Sequence, residues 1–272
     1  MAKKFMAFCF ITLCAQSHSL AQCSNTSYGS GVTCIQGAGN GSSTANQSSN
    51  MVPLSPTAGH AVIAASYMCW DSNCATTGTT TMTIGDNIHN PESCFVASPH
   101  SPFTLVETSL GAQHLLEYLW VCPSIPSGVN SFQINCSSAN SCSYMAITVS
   151  EWTGLASSNL WDVDGGAAST VRQTTATLTT STATNYTNEL LYTFLDNSGD
   201  EQMTAVSPYS MVLQFFRGNA NTGRLETTTG VKTAQTTWTP GDDWYGAIGA
   251  IRTSASQGNL PAAPTGLQAT PH

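Results

Sequence analysis

Tyr144-Met-Ala-Ile-Thr-Val-Ser-Glu151 (YMAITVSE) decides the fold class. Its apolar side chains at Met145, Ile147 and Val149 recur at every second residue, the period of a pleated strand and not of a helix. The β-branched Ile, Thr and Val favour that backbone, because their stiff side chains pack well on a pleated surface. The same alternation carries Glu151 onto the apolar face. A carboxylate there must be paired, hydrogen-bonded or neutral. Arg217, Arg224, Arg252 or a backbone turn at Gly154 are the structural partners on offer. The alternatives are a β-bulge that turns Glu151 to solvent and a catalytic or ligand-binding role.

Working outward, short apolar runs alternate with turn residues. Strands are expected at 61–70, 79–84, 103–108, 114–121, 131–136, 144–150, 174–180, 190–195, 211–216, 224–229 and 247–253. No stretch holds a helical period beyond two turns. The fold class is therefore all-β, a two-sheet antiparallel sandwich of jelly-roll type. Gly111-Ala112 looks like a hairpin turn. Pairing centred there sets Glu107 opposite Leu116 and puts Glu107 and Glu117 on opposite faces. Residues 22–50, rich in Gly, Ser, Asn and Thr, read as a loop-rich amino segment, and 51–253 as the sandwich.

The amino end reads as an address. Lys3-Lys4, the apolar run 5–15 and Ser19-Leu20-Ala21 form the pattern of a secretory signal peptide over 1–21. Its removal takes two of the seven basic residues and none of the 15 acidic ones. Residues 22–171 then hold no Lys or Arg at all. Charged residues make up only 8% of the chain, and the net charge of −8 argues against a nucleic-acid partner, which needs a basic footprint. Nothing after the leader is apolar for long enough to span a bilayer as a helix. A secreted or cell-surface location, extracellular or periplasmic, is expected.

Ten cysteines fit that compartment. Cys9 and Cys14 leave with the leader. Cys23, Cys34, Cys69, Cys74, Cys94, Cys122, Cys136 and Cys142 remain, an even set without zinc-type spacing. Sequence order suggests nearest-neighbour pairs, 23–34, 69–74, 94–122 and 136–142, although composition leaves the connectivity open.

Thr57-Ala-Gly-His60 before an apolar strand, Glu151-Trp-Thr-Gly154 after another, Asn188-Glu-Leu-Leu191 opening a later one, and the closing run from Trp244 to Arg252 together resemble a module of secreted bacterial multidomain proteins. That family is a lectin-like, concanavalin-like β-sandwich with no established common activity. Pro261-Ala-Ala-Pro-Thr-Gly-Leu267-Gln-Ala-Thr270 resembles the opening strand of a fibronectin type III domain, so 254–272 reads as a linker and the start of such a domain.

The resemblance implies a binding or adhesion module for carbohydrate or cell-surface material. Trp161, Trp238, Trp244 and Tyr245 lie near acids or turns, where a ring with a polar tip suits sugar stacking. No cofactor is called for. Calcium is the candidate ion, at Asp196, Ser198, Asp200 and Glu201, whose oxygens alternate along a turn; Asp162-Val-Asp164 and Asp242-Asp243 are lesser candidates. An extracellular polysaccharide hydrolase is the alternative, with Glu151 or the Glu107/Glu117 pair as its acids, and a spacer without ligand is a third. The G-x-S-x-G and H-E-x-x-H motifs are absent. His114/Glu117 and His89/Glu92 are bare pairs. The balance favours a binding module over an enzyme.

Overall fold

The computed structural model describes residues 21–42, 48–69, 81–107, 113–137, 142–197, 201–215 and 218–258. The leader up to Leu20, the fibronectin-like stretch, Cys74, Ser198 and Asp200 lie outside these residues. The described residues form seventeen strands: β1 (Ala21–Gln22), β2 (Thr26–Gly29), β3 (Val32–Gly41), β4 (Ser49–Pro53), β5 (Ala61–Cys69), β6 (Met82–Asp86), β7 (Val96–Ala97), β8 (Phe103–Glu107), β9 (Gln113–Cys122), β10 (Ser131–Cys136), β11 (Ser143–Thr153), β12 (Trp161–Thr179), β13 (Tyr186–Asn197), β14 (Thr204–Ala205), β15 (Ser210–Gln214), β16 (Asn219–Glu226) and β17 (Thr233–Gly258). Every pairing is antiparallel, and the described residues contain no helix, hence none long and apolar enough to cross a membrane.

Two seven-stranded sheets form the centre. One runs β2-β3-β11-β5-β9, with β7 and β8 sharing the far edge of β9. The other runs β1-β15-β16-β13-β17-β12, with β14 on β17. They face each other through Ile63, Val121 and Trp152 on the first sheet and Leu190, Tyr192 and Ile251 on the second. A three-stranded sheet, β4-β10-β6, covers the outer face of the first sheet, burying Val62, Ala64, Met145, Ile147 and Val149 against Phe132 and Ile134. The second sheet is covered by its own longest strands. The β12/β17 ribbon bends back, so that Ser181 N donates to Asp164 O at 2.8 Å. Its outer part lays Ala176, Leu178, Ala234 and Trp238 over Leu191, Leu195 and Ile248. A side chain at Gly165 would collide with the Thr179 carbonyl, so the close return requires glycine there.

The sandwich expected from the sequence therefore carries two further layers. Jelly-roll connectivity is not identified by this strand order. The amino segment also differs from its reading as loop, because β3 lies inside the first sheet between β2 and β11. Its glycines mark close packing, as a Cβ at Gly39 would strike the Phe215 ring.

Disulfides join Cys23–Cys34, Cys94–Cys122 and Cys136–Cys142, three of the nearest-neighbour pairs. They are compatible with an extracellular location.

Candidate functional site

Alternation along β11 places Glu151 on the face of Met145, Ile147 and Val149, and the residue is fully buried. Its partners are none of the arginines. Gln36 Nε2 donates to Oε2 at 2.5 Å, Thr57 N donates to Oε1 at 3.0 Å, and His60 Nδ1 meets Oε1 at 2.6 Å. A bulge is present, but on the partner strand: Glu151 faces Gln36 and Trp152 faces Cys34, leaving Ile35 unmatched, so Glu151 stays inside. Burial pushes the carboxyl up, while the hydrogen bonds from Gln36, Thr57 and His60 outweigh it and hold the group below its ordinary value. Glu151 thus serves as a fully occupied acceptor that ties the loop before β5 to β3.

The arginines named for it work elsewhere. Arg224 Nε and Lys232 Nζ reach Glu226 at 2.7 and 3.0 Å, and Arg252 lies 4.1 Å from the centre of the Tyr186 ring. Arg217 lies outside the described residues.

The Glu107/Glu117 pair takes a different register from the one expected. Glu107 faces Gln113 and Phe103 faces Glu117, so pairing centres one and a half residues earlier than Gly111-Ala112 and gives the two acids register positions on one face of the sheet, not on opposite faces. Glu117 is fully buried between the two central sheets, beside Tyr67 on β5. Burial, reinforced by the charge of Asp196, pushes its carboxyl well above the usual range. A carboxyl enclosed in this core cannot meet a polysaccharide.

Asp196 is likewise drawn inward. It sits within β13, opposite Tyr245 and Asn219, and its charge raises both Glu117 and Tyr67. It therefore lies within a strand and not in the turn read for it from the sequence. Glu201 is half-buried and its backbone carbonyl accepts from Asn197 Nδ2 at 3.4 Å. Asp162 accepts from Asn185 N and Nδ2 at 2.6 and 2.7 Å. Asp164 receives the backbone amide of His100 at 2.9 Å and also its ring Nδ1. Asp242 pairs with Arg172 at 3.4 Å.

Of the four aromatic candidates, Trp238, Trp244 and Tyr245 are buried core residues. Trp238 and Trp244 pack in the layer under the ribbon's return, and Tyr245 packs against Tyr67 between the two central sheets, so none of the three is an exposed ring. Trp161 differs. It is half-buried at the start of β12 and forms one wall of an open cleft of about 470 Å3. The indole packs over Gly249, where any Cβ would strike the ring, and its Nε1 donates to Val96 O at 2.9 Å. Val96, Pro99 and Pro123 supply apolar walls, and exposed Ser157, Ser158 and Asn159 supply a polar rim. That rim is fixed to β17: Ala156 N donates to Arg252 O at 3.0 Å, Arg252 N to Leu160 O at 2.7 Å, and Arg252 Nη1 to Asn159 O at 3.3 Å. On the opposite wall, Pro99 precedes His100, whose ring is held by Asp164.

Trp161 carried a signal in the sequence. The prolines and the Ser157-Ser-Asn159 turn did not, because nothing in their spacing reveals that the loop after β7 and the loop before β12 meet. Comparison with protein-family models, curated proteins and solved structures finds no match to this chain.

Proposed function

We propose that the protein is a secreted binding or adhesion module for carbohydrate or cell-surface material, with its ligand seated in the cleft beside Trp161. One observation carries this reading: an aromatic ring, locked on its core side by Gly249 and at its nitrogen by Val96, lines an open cleft whose rim offers hydroxyl and amide groups. A rigid apolar wall with a few polar groups suits a sugar face and its hydroxyls. The burial of Glu151 and Glu117 takes two of the three acids considered for hydrolysis out of contact with a polymer, which supports binding over cleavage.

The test mixes the oxidised chain, from residue 22 onward, with a panel of insoluble polysaccharides. Protein lost from solution and reducing sugar released are both read. Depletion by at least one polysaccharide, lost in Trp161→Ala and weakened in Gly249→Ala, is the expected result. Depletion that both variants retain would move the ligand away from this cleft. No depletion anywhere on the panel would overturn carbohydrate recognition in favour of a spacer, and sugar release would make the protein a hydrolase.

A further inference from the structure

The turn after β6 gathers three groups of metal-ligand type. Asp86 ends the strand, His89 follows three residues later and Glu92 three after that. One ligand atom from each lies within 4.8 Å of the others. His89 Nδ1 stands 2.9 Å from Glu92 Oε2 and 4.0 Å from Asp86 Oδ1. Two donors bound at zinc distances of about 2.0–2.1 Å stand roughly 3.3 Å apart in a tetrahedron, so the cluster is close to the spacing that one ion imposes.

The protein holds these groups in place without a ligand. Asp86 Oδ1 accepts the amides of Ile88 and His89, both at 2.7 Å, and Asp86 N donates to His89 O at 2.8 Å. Glu92 Oε1 accepts Cys94 N at 3.0 Å, and Cys94 is anchored to Cys122 on β9. Asn87 Oδ1 accepts Asn130 N at 2.7 Å. The remaining oxygens are left over. The Asp86 side chain is 0% exposed, yet its Oδ2 has no hydrogen-bond partner, and Glu92 Oε2 meets only the His89 ring.

Charge sharpens the point. Two buried carboxylates require compensation. No Lys or Arg exists anywhere in residues 22–171, and among the described residues His89 is the one basic side chain that reaches these acids. We infer that Asp86, His89 and Glu92 form a binding site for a divalent first-row transition-metal ion, with zinc as its reference occupant. The imidazole selects against calcium and magnesium, which take oxygen ligands, while the absence of thiolate suits zinc or manganese over softer ions. His89 is 55% exposed, so the remaining coordination positions open to water. The site shares no residue with the Trp161 cleft and does not depend on it.

The experiment titrates Zn2+ into oxidised, chelator-treated chain by calorimetry, with Ca2+ for contrast, and reads the zinc X-ray absorption edge of the loaded protein. One zinc per chain, a shell of nitrogen and oxygen without sulfur, and much weaker calcium binding are expected. Asp86→Asn keeps the Oδ1 acceptor of the turn and replaces the unpartnered oxygen by an amide. That variant and His89→Ala should each lose about tenfold or more in zinc affinity with their folded circular-dichroism spectra unchanged. The double variant His60→Ala/His100→Ala should bind as the parent does. Zinc affinity unchanged in both Asp86→Asn and His89→Ala, or no stoichiometric uptake by the parent chain, would overturn the site.

Discussion

Each histidine whose side chain is described sets Nδ1 against a buried carboxylate: His60 against Glu151, His89 against Glu92 and His100 against Asp164. All three lie in the stretch without Lys or Arg, where imidazole is the only basic side chain type on hand. Three basic residues of the later part, Arg224, Lys232 and Arg252, instead collect around Glu226 and Glu189. Glu189 faces Glu226 and Arg252 across its two ladders. Burial, then the neighbouring Asp162, pushes its carboxyl up to about 8, against 4.5 for a free glutamate, while Arg252 and Lys232 pull the other way. Between those two values the folded chain holds a proton that the unfolded chain has released. Stability from this group is therefore lost as pH rises through that window and levels off above it. Thermal melts of Glu189→Gln and the parent should agree closely near pH 5 and diverge in favour of the variant by pH 8; a constant offset across the range would refute a raised Glu189. At this scale the sequence told which face Glu151 occupies, since the period of two is local. It could not tell which partners arrive there, because Gln36 and His60 come from a strand and a loop about a hundred residues away in the chain.

The strands that reach the centre of the molecule are apolar on both faces, which follows from the extra layers. Along β5, Val62, Ala64 and Met68 face the three-stranded sheet while Ile63 and Ala65 face the second central sheet. Such runs were legible as strands. Their lack of polar alternation was the mark of burial on both sides, which a two-sheet reading does not use. The segments expected at 174–180 and 247–253 were found, yet as pieces of β12 and β17 that bend and continue. β3 was missed because the glycines that admit Phe215 also look like loop. The ribbon's return offers its own test. Gly165→Val should drive the Thr179 carbonyl away and lift the outer ribbon, at roughly 1–3 kcal/mol in urea unfolding. Fluorescence should shift to the red as Trp238 meets water, and the shift should shrink when Trp238→Phe is added. An unchanged spectrum would mean that the ribbon does not depend on this contact.

For the molecule as a whole, covalent and packing support are unevenly shared. The described disulfides close loops of 11, 28 and 6 residues, all before residue 143. In the chain-entropy account these contribute roughly 3, 4 and 2 kcal/mol. The second central sheet after β1, from β12 to β17, has no cysteine and stands on its dry faces alone. Mild reduction should therefore raise hydrogen exchange in residues 22–143 well before it does so in 161–258. Simultaneous loss of protection in both would show instead that the two sheets open as one unit.

The position of β17 has a mechanical meaning. From Trp244 to Arg252, near its carboxyl end, it lies hydrogen-bonded to β13 on one side and β12 on the other. A pull on that end does not peel an edge strand one bond at a time. It loads two ladders along their length together, the geometry in which many bonds share the force. A tether attached there would hold against shear that would unzip a hairpin.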